Sequence, residues 1–259
     1  MLEDLLSFDL CGKIAHFRKF YSNSSALTHS IPPRTTILGI IGAIIGEPRD
    51  SYYDRLDDLL IGIQVITKGR KIFQKFNYLK VESGNIDLYS GIAENRTQTS
   101  VELIIPDNIR DSDLCYRIFV GAVNGNHPMY SKLKEHLKAD LCEFGISLGS
   151  AHLLGYVKNF KSYNDFWSIK ENTVAISTAI LVEQVKSIRN KEINLEQDTF
   201  PLRMRINSSS KDKNITRIAS DVRPMLFSID GSCFTVDLCN STNIFKLKDG
   251  DSVINLALV

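Results

Sequence analysis

Two stretches of this chain mix cations with aromatic rings and exclude acids altogether. Between Asp9 and Glu47 no acidic residue occurs, while Lys13, Arg18, Lys19 and Arg34 stand among His16, His29, Phe17, Phe20 and Tyr21. Between Asp58 and Glu82 the pattern returns, with Lys68, Arg70, Lys71, Lys75 and Lys80 interleaved with Phe73, Phe76 and Tyr78. Cations neutralise phosphates and release counterions, and aromatic faces stack on splayed bases, so this mixture suits single-stranded RNA. The plainer alternative is that the lysines decorate a solvated strand face while the aromatics fill a core.

Cleavage of RNA by its own 2′-hydroxyl needs only a base, an acid and a cation near the phosphate, which His16, Tyr21 and Lys19 could supply. The same side chains are equally apt for holding RNA without cutting it. Gly145-Ile-Ser147-Leu-Gly149 matches the GxSxG pattern of a hydrolase elbow. Such an enzyme needs an acid and then a His well downstream of the Ser, yet the last His is His152. The glycines from Gly145 to Gly155 are better read as permitting a turn and a close backbone approach.

Phosphate-loop, dinucleotide and zinc-protease motifs are absent from the sequence. His127 and His136 have no Cys or carboxylate at ligand spacing, and the five cysteines are odd in number and never spaced as CxxC. The expectation is therefore no metal, no cofactor, no disulfide framework and a reducing cytoplasm. An acidic Met-Leu-Glu-Asp start and the lack of a long apolar run argue against a secretory signal or a membrane span.

The elements that must position these residues follow from periodicity and turn signals. Residues 5–15 read as a central strand, with Gly12 marking a bulge or a close backbone approach. From Thr35 to Gly46 the pattern is a buried helix with a Thr cap and a Gly stop. Its Gly39 and Gly42 suggest tight packing against a sheet. Residues 59–67 read as a second strand, 68–106 as an inserted hairpin, 115–123 as a strand, 128–139 as a helix carrying Leu133 and Leu137, and 151–157 as a strand. The order β-α-β-(hairpin)-β-α-β is the ferredoxin-like, RRM-like α+β pattern, expected over 1–161, with a smaller β-rich domain over 162–259. With 43% hydrophobic and 24% charged residues the chain is an ordinary folded protein, and its net charge of +1 gives no global sign of a polyanionic partner.

Gly12-Lys-Ile-Ala-His16-Phe17-Arg18, then Pro32-Pro33-Arg34-Thr35-Thr36 and the helix glycines Gly39, Gly42 and Gly46, together resemble the fifth Cas family, of the RAMP class of RNA-binding proteins. Asn95-Arg96-Thr97-Gln98-Thr99 leading into Val101-Glu102-Leu103, and the Gly145 to Gly155 stretch, extend the likeness over most of residues 5–160. More narrowly the chain is similar to the branch found in type I-B CRISPR systems. The resemblance implies a ferredoxin-like domain with a protruding hairpin thumb and a non-catalytic subunit of the Cascade surveillance complex in antiviral defence. Such a subunit holds the 5′ handle of the crRNA, contacts the backbone and large subunits, and meets target DNA only through the complex. One branch of the family processes repeat RNA as a metal-independent endoribonuclease, which is the alternative. Carried onto this sequence, His16, Arg18, Lys19 and Arg34 would touch the handle, and Lys75, Lys80, Arg96 and Gln98 would be thumb residues.

Overall fold

A computed structural model describes the whole chain except residues 1, 23–24, 80–95, 124–126, 190–192 and 209–214. For residues 79, 96, 208, 215 and 216 it describes the backbone alone. The first part of the chain runs β1 (Asp4–Gly12), β2 (Phe17–Arg18), β3 (Thr28–His29), α1 (Arg34–Ile45), α2 (Tyr52–Arg55), β4 (Leu60–Val65) and the hairpin strands β5 (Gly69–Leu79) and β6 (Arg96–Pro106). There follow β7 (Leu114–Ala122), α3 (Pro128–Lys138), β8 (Ile146–Ser147) and β9 (Leu154–Tyr163).

The main sheet has the strand order β4-β7-β1-β9-β8, every neighbouring pair antiparallel. β1 lies at its centre, and apart from the partly exposed Asp4 it is buried along its whole length, which explains why its sequence mixes alternating and continuous apolar positions. Leu6, Phe8 and Leu10 belong to the core shared with α1 and α3. Leu5 joins a separate cluster with Leu2, Phe119, Tyr163, Leu247, Leu256 and Leu258 on the other side. The polar groups interleaved there are satisfied: Ser7 bonds the Tyr163 hydroxyl at 2.8 Å, and Asp9 accepts from Arg117 at 2.7 Å and Asn159 at 2.9 Å.

Gly12 is a close approach rather than a bulge, since a β-carbon there would meet Leu148 at 2.6 Å and the Leu154 carbonyl at 2.8 Å. The register shift of β1 against β9 falls earlier, between Ser7 and Asp9. Within the segment 68–106 expected as an inserted hairpin, β5 and β6 pair antiparallel from Gly69 opposite Pro106 to Leu79 opposite Arg96, and residues 80–95 between them lie outside the described residues.

α1 is apolar on nearly all sides because it is covered on nearly all sides, by the sheet, by α2 and α3, and by a β-ribbon from the second half of the chain. Two expectations about it need correction. It begins at Arg34, after Pro33, with no side-chain cap, so neither Thr35 nor Thr36 serves as the cap. The α1 glycines make room for α2 rather than for the sheet: β-carbons on Gly39 and Gly42 would both press on Tyr52. Gly46 ends the helix in the left-handed conformation at φ 74°, as its residue type foretold.

Beyond β9 the described chain continues in strands, β10 (Phe166–Ser168), β11 (Thr173–Ile176), β12 (Ile180–Leu181), β13 (Val185–Ile188), β14 (Leu195–Ser208), β15 (Ile215–Ser228), β16 (Phe234–Leu238), β17 (Ile244–Asp249) and β18 (Ser252–Ala257). β11, β13 and β16 enclose an apolar cluster of their own around Val174, Ile176, Phe234 and Val236. β14 and β15 form a long ribbon whose inner half sends Phe200, Leu202, Met225 and Phe227 into the same core as α1. Packing therefore runs continuously from the first part of the chain into the last.

Candidate functional site

The base of the β5–β6 hairpin fixes the segment that leaves β1. Ala15 exchanges backbone hydrogen bonds with Ile104, and the His16 amide donates to the Leu148 carbonyl at 2.9 Å. Glu102 acts twice: its carbonyl lies 2.7 Å from His16 Nδ1, and its carboxylate accepts from the Thr28 amide at 2.8 Å. The Val101-Glu102-Leu103 segment is thus a structural clasp for the strand end that carries His16 and Arg18.

A cleft of about 860 Å³ opens beside that strand end. His16, Arg18 and Phe20 line it from the strand end, Thr35, Thr36 and Gly39 from α1, and Tyr52 and Tyr53 from α2. Tyr78 and Thr99 enter from the hairpin, Ser147 and Gly149 from the GxSxG stretch, and Pro201, Met204 and Arg217 from the β14–β15 ribbon. Arg18 is exposed, with a long 3.5 Å contact to the Ser22 carbonyl. His16 is only 6% exposed, and burial pushes its imidazole below the ordinary value. The first turn of α1 holds no acidic residue and no side-chain cap, so its amide end offers positive potential to the cleft.

The structure brings His16 and Arg18 together here and draws two other expected contacts away. Arg34 is 4% exposed and gives all five guanidinium hydrogens to the protein: to the Val259, Leu202, Leu59 and Asp57 backbone oxygens at 3.2, 2.8, 2.9 and 2.6 Å, and to the Asp57 carboxylate at 3.3 Å. Its fork geometry suits a buried structural clamp, and its expected role at the handle is corrected accordingly. Lys19 is also committed. Its ammonium lies 2.8 Å from Asp198 in β14, which further accepts from His29 Nδ1 at 2.9 Å and the Tyr21 hydroxyl at 3.0 Å.

Those bonds decide another question. Tyr21 and Lys19 both converge on Asp198 while His16 faces Glu102, so the base, acid and cation that the sequence offers for RNA cleavage are not assembled at one point. His127 caps α3, accepting from the Tyr130 amide at 3.1 Å, and pairs with Asp58, while His136 bonds the Lys132 carbonyl and Glu143. Among the described residues no group of three or more His, Cys, Asp or Glu is placed to hold a metal ion.

Pleating separates the hairpin residues. Phe76 pairs with Thr99 and Tyr78 with Thr97, whereas Lys75 pairs with Ser100 and Asn77 with Gln98. Directly opposed residues share a face, so Lys75 and Gln98 stand on the side away from the cleft-lining Tyr78 and Thr99, both exposed. Lys80 lies outside the described residues, as does the side chain of Arg96. Sequence reading missed Tyr52, Tyr53, Met204 and Arg217. The two tyrosines carry a local signal, falling opposite the α1 glycines, but Met204 and Arg217 arrive from the second half of the chain with none.

Residues 5–105 match the model of a family described as CRISPR-associated protein (Cas_Cas5). Among solved structures the chain is similar to "Crystal structure of a CRISPR protein from Archaeoglobus fulgidus", at 12% identity and a TM-score of 0.55, covering 98% of this chain and 99% of that one. A weaker likeness, TM-score 0.45 at 13% identity over 92% of each chain, is to "CRISPR RNA-guided surveillance complex". No curated protein sequence matches the chain. The family read from the motif residues is therefore also the family whose model residues 5–105 match, and the likeness in fold to the Archaeoglobus fulgidus protein extends past that segment through the β-rich remainder.

Proposed function

From a chain whose residues 5–105 match the Cas5 family of CRISPR-associated proteins, we propose a subunit of a type I CRISPR effector complex that holds the 5′ handle of the guide RNA in this cleft without cutting it. The observation that carries the reading is the meeting of His16 and Arg18 with the uncapped start of α1 and with Phe20, Tyr52, Tyr53 and Tyr78 around one open cleft. An exposed guanidinium and a helix start without an acidic residue or side-chain cap suit phosphates, and the rings suit unstacked bases. The sheet order β4-β7-β1-β9, with α1 and α3 as crossings, is that of ferredoxin-like RNA-binding modules, which supports the expected domain over 1–161.

Lys75 and Gln98, facing the other way, are assigned to contacts of the hairpin thumb with RNA or neighbouring subunits outside the cleft, and the same role is proposed for Lys80 and Arg96. The backbone and large subunits are the proposed protein partners, with target DNA read by guide pairing rather than by this chain. Non-catalytic action is favoured by the diversion of Lys19 and Tyr21 to Asp198.

The test is purified protein with labelled repeat RNA in chelator. A retarded, intact band that Arg18→Gln weakens about tenfold, the scale of one charge-assisted contact, supports the reading. A defined cleavage product would establish the endoribonuclease instead, and wild-type protein that leaves the RNA unshifted alone and with the partner subunits present overturns RNA binding.

A further inference from the structure

The β14–β15 ribbon leaves the core at a pair of register shifts, between Pro201 and Arg203 and between Arg203 and Met204. Beyond them Met204 opposes Ala219 and Ile206 opposes Arg217, so these four share one face, and Met204 and Arg217 of that face line the cleft. Arg217 does not stand free there. Its Nε and a terminal nitrogen each lie 2.8 Å from a single oxygen of Asp50, in the loop that joins α1 to α2. Asp50 is held at φ 70°, a left-handed backbone that few side chains other than Asn and Asp accept, and the second oxygen of its carboxylate lies 3.8 Å from Arg49.

One carboxylate thus sits between two guanidiniums, and it engages Arg217, which lines a cleft that Arg18, hydroxyl side chains and aromatic rings share with aliphatic residues and glycines and to whose lining no carboxylate contributes. That is where a phosphate oxygen would sit if an RNA backbone ran from Arg18 along α1 to the ribbon. Arg217 is 37% exposed and Asp50 11%, so the guanidinium is reachable from solvent while its carboxylate partner is nearly enclosed.

The geometry points to the β14–β15 ribbon as the far wall of the RNA cleft, with Arg217 parked on Asp50 in the free protein and transferred to an RNA phosphate on binding. The exchange replaces one anionic partner by another, so Asp50 lowers affinity and restricts the site to ligands that compete for the guanidinium. The inference rests on the RNA-binding reading above and adds a specificity device to it.

The test measures binding of a short labelled single-stranded RNA to the full chain across a salt series, for wild type, Arg18→Gln, Asp50→Asn, Arg217→Gln and the double variant. Asn keeps the left-handed turn, and melting temperatures check that each variant folds. Expected are tighter binding by several-fold for Asp50→Asn, no such gain in the double variant, and a salt slope shallower by about 0.7 for Arg217→Gln, one phosphate contact on a single strand. Unchanged or weaker binding by Asp50→Asn, or a salt slope that Arg217→Gln leaves alone while Arg18→Gln lowers it, overturns the exchange and leaves RNA binding standing. Wild-type protein that binds no RNA refutes the cleft reading itself and this inference with it.

Discussion

The backbone of Gly149 lies so close to the carbonyl of His16 that a β-carbon on Gly149 would overlap that oxygen. The GxSxG stretch therefore works as a backbone seat for the strand end, consistent with the His16 amide bonding Leu148. Gly149 also sits at φ 96°, where L-residues are strained.

Gly149→Ala should accordingly lose at least about 2 kcal/mol of stability, combining the cost of that backbone region with displacement of His16. Urea denaturation measures the loss. RNA retention should fall with it, because the segment carrying Arg18 shifts. Wild-type stability would mean the seat relaxes freely.

Asp198 gathers His29, Lys19, Tyr21 and the Thr199 amide around one nearly buried carboxylate. Burial alone would raise its pKa, yet the hydrogen bonds from His29 and Lys19 outweigh that and hold it well below the ordinary carboxylate range. A depressed folded-state pKa gives stability that is present above the unfolded value, about 3.9, and lost as pH falls towards the folded value. Asp198→Asn should lower stability by about 3 kcal/mol at neutral pH, the scale for breaking a buried ion pair, and flatten the loss below about pH 4. Denaturation at a series of pH values checks both; an equally steep acid loss in the variant would place its origin elsewhere.

Arg34→Lys should damage the fold rather than the RNA site. A lysine offers three donors from a point charge where five planar ones are used, so a loss of about 3 kcal/mol is expected, together with an RNA affinity equal to wild type for the protein that remains folded. Affinity lost without any change in melting temperature would return Arg34 to the RNA-contact set.

Gly39 and Gly42 should respond differently to alanine although both face Tyr52. At Gly39 the new methyl meets the hydroxyl end of a rotatable ring at 3.3 Å; at Gly42 it meets the ring root, with the Tyr52 β-carbon at 3.2 Å. Gly39→Ala should gain about 0.5–1 kcal/mol from helix propensity, whereas in Gly42→Ala displacement of α2 cancels that gain or reverses it. Thermal melts of the two variants side by side separate the cases.

Much of this architecture was legible locally. The succession of strands and helices along the first part of the chain and the stop at Gly46 each depend on a few neighbouring residues whose periodicity or backbone freedom allows one outcome. Gly12 and the Gly145 to Gly155 stretch could be read as close approaches, but not which atoms approach. Gly39 and Gly42 were visible as packing positions, while their partner Tyr52 was not.

What the sequence determined by itself is an acid-free, ring-rich strand end next to a glycine-bearing buried helix, because composition and spacing are properties of a contiguous segment. Only the tertiary structure decided which of those cations remain available. Arg18 faces the cleft, Lys19 is claimed by Asp198, Arg34 by backbone oxygens from three separate segments, and Arg217 joins the site from the far ribbon. The physical reason is that a side chain's charge is a local fact, whereas the partner that engages or frees it is set by how distant segments pack, and no local pattern carries that information.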